Sequence, residues 1–189
     1  MSNAISPLRF IVKRPHFLFA VVLTGLLIFA GAGAADGQVK KPPVKCTGAN
    51  GLTAVEIAEL LAAQNHARAE HKLAPLKWDC RLADMAQEWA KRGVFEHRED
   101  TSYGENMFVS ALATEPVRSA VERWMLEKAN WTNKTGTCAT GKTCTHYTQI
   151  VWKTTTQVGC GINRNGAVKW KVLLVCNYNP AGNTPGPAY

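Results

Sequence analysis

The chain has no Gly-x-Ser-x-Gly elbow and no His-Glu-x-x-His helix, and none of its six cysteines stands at the two-residue spacing of a zinc knuckle. The first two absences leave no positioned serine nucleophile and no metalloprotease helix. The third makes zinc the weaker reading of the cysteines. Lysine and arginine are scattered rather than clustered and no nucleic-acid motif occurs, so the net charge of +8 reads as a solvated surface with no nucleic-acid partner. At most it favours an anionic cell-wall or membrane surface. Internal repeats are also absent.

What is present begins with a targeting pattern. Arg9, Lys13 and Arg14 lead into an apolar run from Phe17 to Ala30, followed by the small residues Gly31 to Ala35. The run is shorter than the about 20 apolar residues that span a bilayer. Residues 1–35 are therefore predicted to be a signal peptide cleaved near Ala34 or Ala35, with an uncleaved membrane anchor as the alternative, and the protein is expected to be secreted. Cleavage would remove three positive charges and no acidic ones, taking +8 to +5. The remaining length, about 150 residues, suits one domain with one core. Residues 36–52, with lysines and prolines in Gln38 to Val44, read as a tether, and 53–189 as the domain. An even number of cysteines bound for an oxidising compartment predicts three disulfides.

Thr53-Ala54-Val55-Glu56 is a capping box that starts a first helix running through Arg68 and ending before Pro75. A second helix is predicted from Asp79 or Cys80 to Gly93, with Leu82, Met85, Ala86 and Trp89 on one side. A third begins after Thr114, takes Pro116 into its first turn and carries Val117, Ala120, Val121 and Trp124 on one side. Strands are expected at Glu105 to Phe108, Gln157 to Asn163 and Trp170 to Tyr178. The last two are separated by Arg164-Asn165-Gly166, a hairpin turn signal. Thr145 to Trp152 is ambiguous by pattern.

Four motifs occur in an order that resembles the CAP superfamily of cysteine-rich secretory, antigen-five and plant pathogenesis-related proteins, in style nearest the plant class. They are Gln64-Asn65-His66-Ala67-Arg68, Gly104-Glu105-Asn106, Cys144-Thr145-His146-Tyr147-Thr148-Gln149-Ile150-Val151-Trp152, and Cys176-Asn177-Tyr178-Asn179-Pro180 with the earlier Gly159-Cys160-Gly161. The resemblance implies an α+β fold, a three-layer α–β–α sandwich around a small antiparallel sheet, with Thr145 to Trp152 a short helix leading into a strand. It also implies bridges between Cys138 and Cys144, between Cys160 and Cys176 and, as the remaining pair, between Cys46 and Cys80.

By the same resemblance His97, Glu105, Glu122 and His146 gather at the base of a groove. Two imidazoles and a carboxylate suit a weakly bound divalent ion such as zinc, while two close carboxylates would supply an acid and a base. The alternative is a structural polar network completed by Asn106 and Tyr147. Asn65 and Arg68, three apart on one helix face, are expected to lock the fold, Arg68 by reaching backbone carbonyls or a carboxylate. His66 and His71 read as ordinary polar positions, and Gln149 and Trp152 as packing.

Small lipids, a sterol or fatty acid, are the other ligand the resemblance implies, through a loop before the signature histidine and an apolar groove between helices. Trp131 is the sole aromatic of that loop, Ala129 to Thr137, which also holds the sequons Asn130 and Asn133. The resulting expectation is a monomeric, secreted, non-enzymatic binding or defence-type module. The alternative is a metal-dependent hydrolase using His97 and His146 as ligands and Glu105 or Glu122 as base.

Overall fold

A computed structural model describes Cys46 and residues 50–99, 101–165 and 170–189. The expected signal peptide, most of the tether and Gly166 of the predicted hairpin turn lie outside these residues. Helix α1 spans Ala54–Ala69, and its capping box is formed in both directions: Glu56 N–H donates to Thr53 Oγ1 at 3.2 Å and Thr53 N–H to Glu56 Oε2 at 2.8 Å. Helix α2, Cys80–Lys91, starts at Asp79, whose Oδ1 accepts from Leu82 N–H, and stops before Gly93 at φ +70°. Helix α3 is Arg118–Leu126 and begins two residues after Pro116, which therefore lies ahead of the helix rather than in its first turn. Helix α4 is Thr145–Ile150, the short helix that the resemblance implied.

The sheet holds β1 (Lys77–Trp78), β2 (Gly104–Ser110), β5 (Gln157–Asn163) and β6 (Val172–Asn179) in the order β1-β5-β6-β2. Both neighbours of β6 pair antiparallel to it, while the two-residue β1 pairs parallel to β5. A separate ribbon joins β3 (Trp131–Thr132) to β4 (Thr137–Cys138). Alternation along β6 sets the layers, since successive side chains point to opposite faces. Leu173 and Val175 pack with Met107 against Ala86 and Ala90 of α2. Val172, Leu174, Cys176 and Tyr178 face the larger core with Leu60, Val121, Trp124, Tyr147 and Ile150 from α1, α3 and α4. The result is an α–β–α sandwich.

The approach of α2 is set by two glycines of β5. A Cβ on Gly159 would lie 2.3 Å from Ala83 N, and one on Gly161 2.3 Å from Gln87 N, so any side chain there would push the helix off the sheet. Between them Cys160 faces the other way and is bridged to Cys176, its direct cross-strand partner. Cys46 is bridged to Cys80 and Cys138 to Cys144. Residues 50 to 52, within the span expected to be tether, belong to the folded body. Asn50 is buried, its carbonyl accepts from Ile162 N–H at 3.1 Å, and a Cβ on Gly51 would meet the Ile162 carbonyl.

Arg68 is fully buried, and its guanidinium donates to the carbonyls of Ala74, Ile150, Trp152 and Thr155 at 2.8 to 2.9 Å. Burial pushes its pKa down from the usual arginine value. Lysine lacks the planar fork that reaches four acceptors at once. Arg68→Lys is expected to lower stability by about 3 kcal/mol, as buried carbonyls lose charged donors. Urea denaturation checks this through a lower midpoint at unchanged slope.

Candidate functional site

Of the four residues expected to share a groove, His97 and Glu105 pair with each other, His146 pairs with Glu127 instead, and Glu122 stands apart. His97 Nδ1 lies 2.9 Å from Glu105 Oε1, on the second residue of β2. His146 Nδ1 lies 2.6 Å from Glu127 Oε1. With an ionised carboxylate as acceptor, Nδ1 is the donor in both pairs, which in a neutral imidazole makes Nε2 the lone-pair nitrogen. Asn106, next to Glu105, ties the pairs to one framework. Its Nδ2 donates to the His146 carbonyl at 3.0 Å and to the Tyr178 hydroxyl at 3.3 Å, and that hydroxyl donates to Gln64 Oε1 at 2.8 Å. Glu105 Oε2 is buried with no hydrogen-bond partner among the described residues.

Glu122 does not join them. It lies on the exposed flank of α3 and pairs with Arg118 four residues earlier at 2.7 Å, and Glu127 holds the position expected for it. The helical period explains the exchange. Trp124 is buried and stacks on the His146 ring, with centroids 5.9 Å apart and planes at 9°. A residue three positions on shares that face, whereas Glu122 is turned away. The spacing Trp124-x-x-Glu127, beginning at a tryptophan on the apolar side, was the signal in the sequence.

Glu127 also holds α4 in place. Cys144 provides no side-chain cap for this six-residue helix, and Glu127 Oε2 instead accepts from His146 N–H at 3.0 Å and Tyr147 N–H at 3.1 Å. A carboxylate at a helix N-terminus satisfies orphan donors and complements the dipole. Among the described residues no group of three or more His, Cys, Asp or Glu is arranged to hold a metal ion. What the arrangement offers a cation is imidazole Nε2 atoms oriented from behind by carboxylates, the outer-shell pattern of histidine metal ligands.

A groove of about 660 Å³ lies between α1 and α3. Ala62, Ala63, Ala67, Val121 and Met125 give it apolar walls, and Glu59, His66, Glu70, Arg118 and Glu122 a polar rim. Trp131 lies elsewhere. Its ring is half-buried against the main core, its Nε1–H donates to Asn133 Oδ1 at 3.2 Å, and it lines a cleft shared with Cys144, Thr148 and Pro185. His71 is no ordinary polar position: it stacks on Tyr189 with ring centroids 3.8 Å apart, and its Nε2 lies 2.9 Å from the Tyr147 hydroxyl. Tyr147 therefore belongs to that cluster rather than to the network around Asn106.

The model of the cysteine-rich secretory protein family, CAP, matches residues 61–178. The chain belongs to this family. A pathogenesis-related protein of PR-1 type from Sambucus nigra is 35% identical to this CAP chain over 128 residues, 66% of the chain and 75% of the relative. The solved structure of Schistosoma mansoni venom allergen-like protein 4 is similar at 25% identity with a TM-score of 0.61, over 73% of this chain and 95% of that one. The crystal structure of NaASP2 with Zn2+ is similar at 26% identity and a TM-score of 0.62, over 76% and 88%. The match contains both His–Glu pairs of this CAP domain: His97, in the loop before β2, with Glu105 on β2, and Glu127, the C-cap of α3, with His146 on α4.

Glu127→Ala is expected to cost about 2 kcal/mol, since two helix N–H groups and an imidazole lose their acceptor, whereas Glu122→Ala should stay within about 0.5 kcal/mol. Thermal unfolding of both variants is the check, and equal effects would contradict the assignment.

Proposed function

We propose that this CAP protein is an extracellular, non-enzymatic binding module of defence type whose ligand is a single-chain lipid such as a fatty acid. The observation that carries the ligand is the α1–α3 groove. Its volume of about 660 Å³ is in the range of small-molecule pockets, and five apolar side chains form its walls. The rim carries Glu59, Glu70 and Glu122 beside Arg118 and His66, and Arg118 is paired with Glu122, so the apolar walls rather than the rim carry the ligand class. Three disulfides and the predicted leader support an extracellular setting, and the pathogenesis-related relatives support the defence role.

A fluorescent fatty acid titrated into the full chain is expected to bind saturably. Ala63→Trp, which fills the groove, should weaken binding at least about tenfold, because overpacking excludes the chain from its walls. Trp131→Ala should leave it unchanged. No saturation at micromolar lipid, or sensitivity to Trp131 instead of Ala63, would reject the groove.

A divalent cation is the second reading, favoured by the partnerless buried Glu105 Oε2 and by the carboxylate behind each imidazole. His97 and His146 would supply nitrogen ligands, Glu105 and Glu127 would hold the rings, and Glu122 would take no part. Calorimetric titration with zinc is expected to give weak binding that His146→Ala abolishes. Zinc-dependent turnover in a broad peptide and ester screen, lost in a folded His146→Ala variant, would replace the module with a hydrolase using Glu105 as base.

A further inference from the structure

After β6 the chain runs through a segment stitched to α4, then an exposed strap, then a dock. Gly182 N–H donates to Gln149 Oε1 at 2.9 Å, Asn183 Nδ2 to the Thr145 carbonyl at 3.0 Å, and the Thr148 hydroxyl to Asn183 Oδ1 at 2.6 Å. Residues 183 to 187 are exposed. Ala188 is then fully buried and Tyr189 half-buried.

Four separate parts of the fold hold these two residues. Asn133 reads the backbone: its Oδ1 accepts from Ala188 N–H at 2.9 Å and Tyr189 N–H at 3.3 Å, and its Nδ2 donates to the Tyr189 main-chain oxygen. Lys153 N–H donates to the Ala188 carbonyl at 2.7 Å. His71 stacks on the Tyr189 ring, with planes at 24°, and Tyr147 donates its hydroxyl to the Tyr189 hydroxyl at 3.2 Å. Burial keeps the Tyr147 hydroxyl protonated far above the usual tyrosine range, and burial with Lys128 nearby pushes the His71 pKa down and favours its neutral ring.

We propose that the cleft of His71, Asn133, Tyr147 and Lys153 is a peptide-binding site that reads an extended small-residue–tyrosine step, and that Ala188–Tyr189 is its intramolecular occupant. The division of labour is that of peptide recognition, in which main-chain hydrogen bonds hold the segment and a pocket selects one side chain. Alanine suits the fully buried position, and tyrosine supplies both a ring for His71 and an oxygen for Tyr147. Three of the four walls have supports besides the occupant. His71 follows α1 in a turn closed by Leu73 N–H on the Arg68 carbonyl, Tyr147 is held by Glu127, and Asn133 lies in the β3–β4 ribbon, which the Cys138–Cys144 bridge ties to α4. A preformed site with an occupant on an exposed strap can exchange that occupant for the same peptide supplied by another molecule. The α1–α3 groove has different lining residues, so this site stands or falls separately from the lipid reading.

The test uses the full chain and a fluorescein-labelled peptide Thr-Pro-Gly-Pro-Ala-Tyr. The Tyr189→Ala chain is expected to bind it saturably, with wild type at least about tenfold weaker because its own tail competes. A peptide ending Ala-Ala should bind Tyr189→Ala at least about tenfold more weakly, and Asn133→Ala in that background should abolish binding. In wild type alone, hydrogen exchange should show protected Ala188 and Tyr189 amides, and Asn133→Ala should expose them while α2 stays protected. The proposal is overturned by no binding to a folded Tyr189→Ala chain, by equal affinity for the Ala-Ala peptide, by equal affinity of wild type and Tyr189→Ala, or by unprotected wild-type amides. If Tyr189→Ala does not fold, the exchange measurement decides.

Discussion

The buried guanidinium of Arg68 is the constraint around which the rest is arranged. A cation in the core with no carboxylate paired to it among the described residues is tolerated only if its nitrogens find acceptors, and Arg68 draws its acceptors from three places. Ala74 belongs to the turn after α1, Ile150 and Trp152 to the end of α4, and Thr155 to the approach to β5. The carbonyls at the C-terminal end of α4 are orphans of the kind every helix leaves, and Arg68 satisfies them from another element. One side chain therefore fixes α1, α4 and the entry to the central strand together. Asn65, three residues earlier, adds a reciprocal pair of bonds with Leu76 that leads into β1.

Much of this was open to a reading of residues. The capping box, the Asp79 start of α2 and the bounds of β5 follow from local rules, because each depends on spacing within one segment. Asn65 and Arg68, by contrast, were legible only as polar residues sharing a helix face, and the carbonyls Arg68 reaches come from the tertiary fold. The assignment of Glu122 failed for a related reason. Resemblance pointed to a glutamate on the third helix, and the choice between two of them turned on which face meets His146. That face is set by Trp124, which the apolar periodicity had already placed inward. The dock of Ala188–Tyr189 was not accessible at all, since His71, Asn133, Tyr147 and Lys153 come from four segments whose meeting depends on the tertiary fold. Nothing in the local sequence distinguishes His71 from a solvated histidine.

The sheet supplies the rigid base for these sites through asymmetry. On one face glycines 159 and 161 bring the α2 backbone nearly into contact with β5, which leaves no room for a ligand there. On the other face β6 presents Val172, Leu174, Cys176 and Tyr178, and three helices with large side chains are needed to cover it. Where these helices meet one another over the sheet they leave seams between them. The α1–α3 groove is such a seam, and its alanines keep it open where larger residues would have closed it.

Helix α4 is where the two polar sites meet. Six residues cannot sustain a helix in water, because nucleation costs more than so few hydrogen bonds return. Its order is borrowed from Glu127 at one end and Arg68 at the other. Consecutive residues on it then serve different polar sites. His146 faces Trp124 and Glu127, while Tyr147, about 100° further round the helix, faces His71 and Tyr189. Glu127 grips the backbone N–H of both, so a ligand that drew His146 off its carboxylate would also disturb the support of Tyr147. The coupling is physical and local: two polar sites share one helix that holds its shape only through side chains lent by its neighbours.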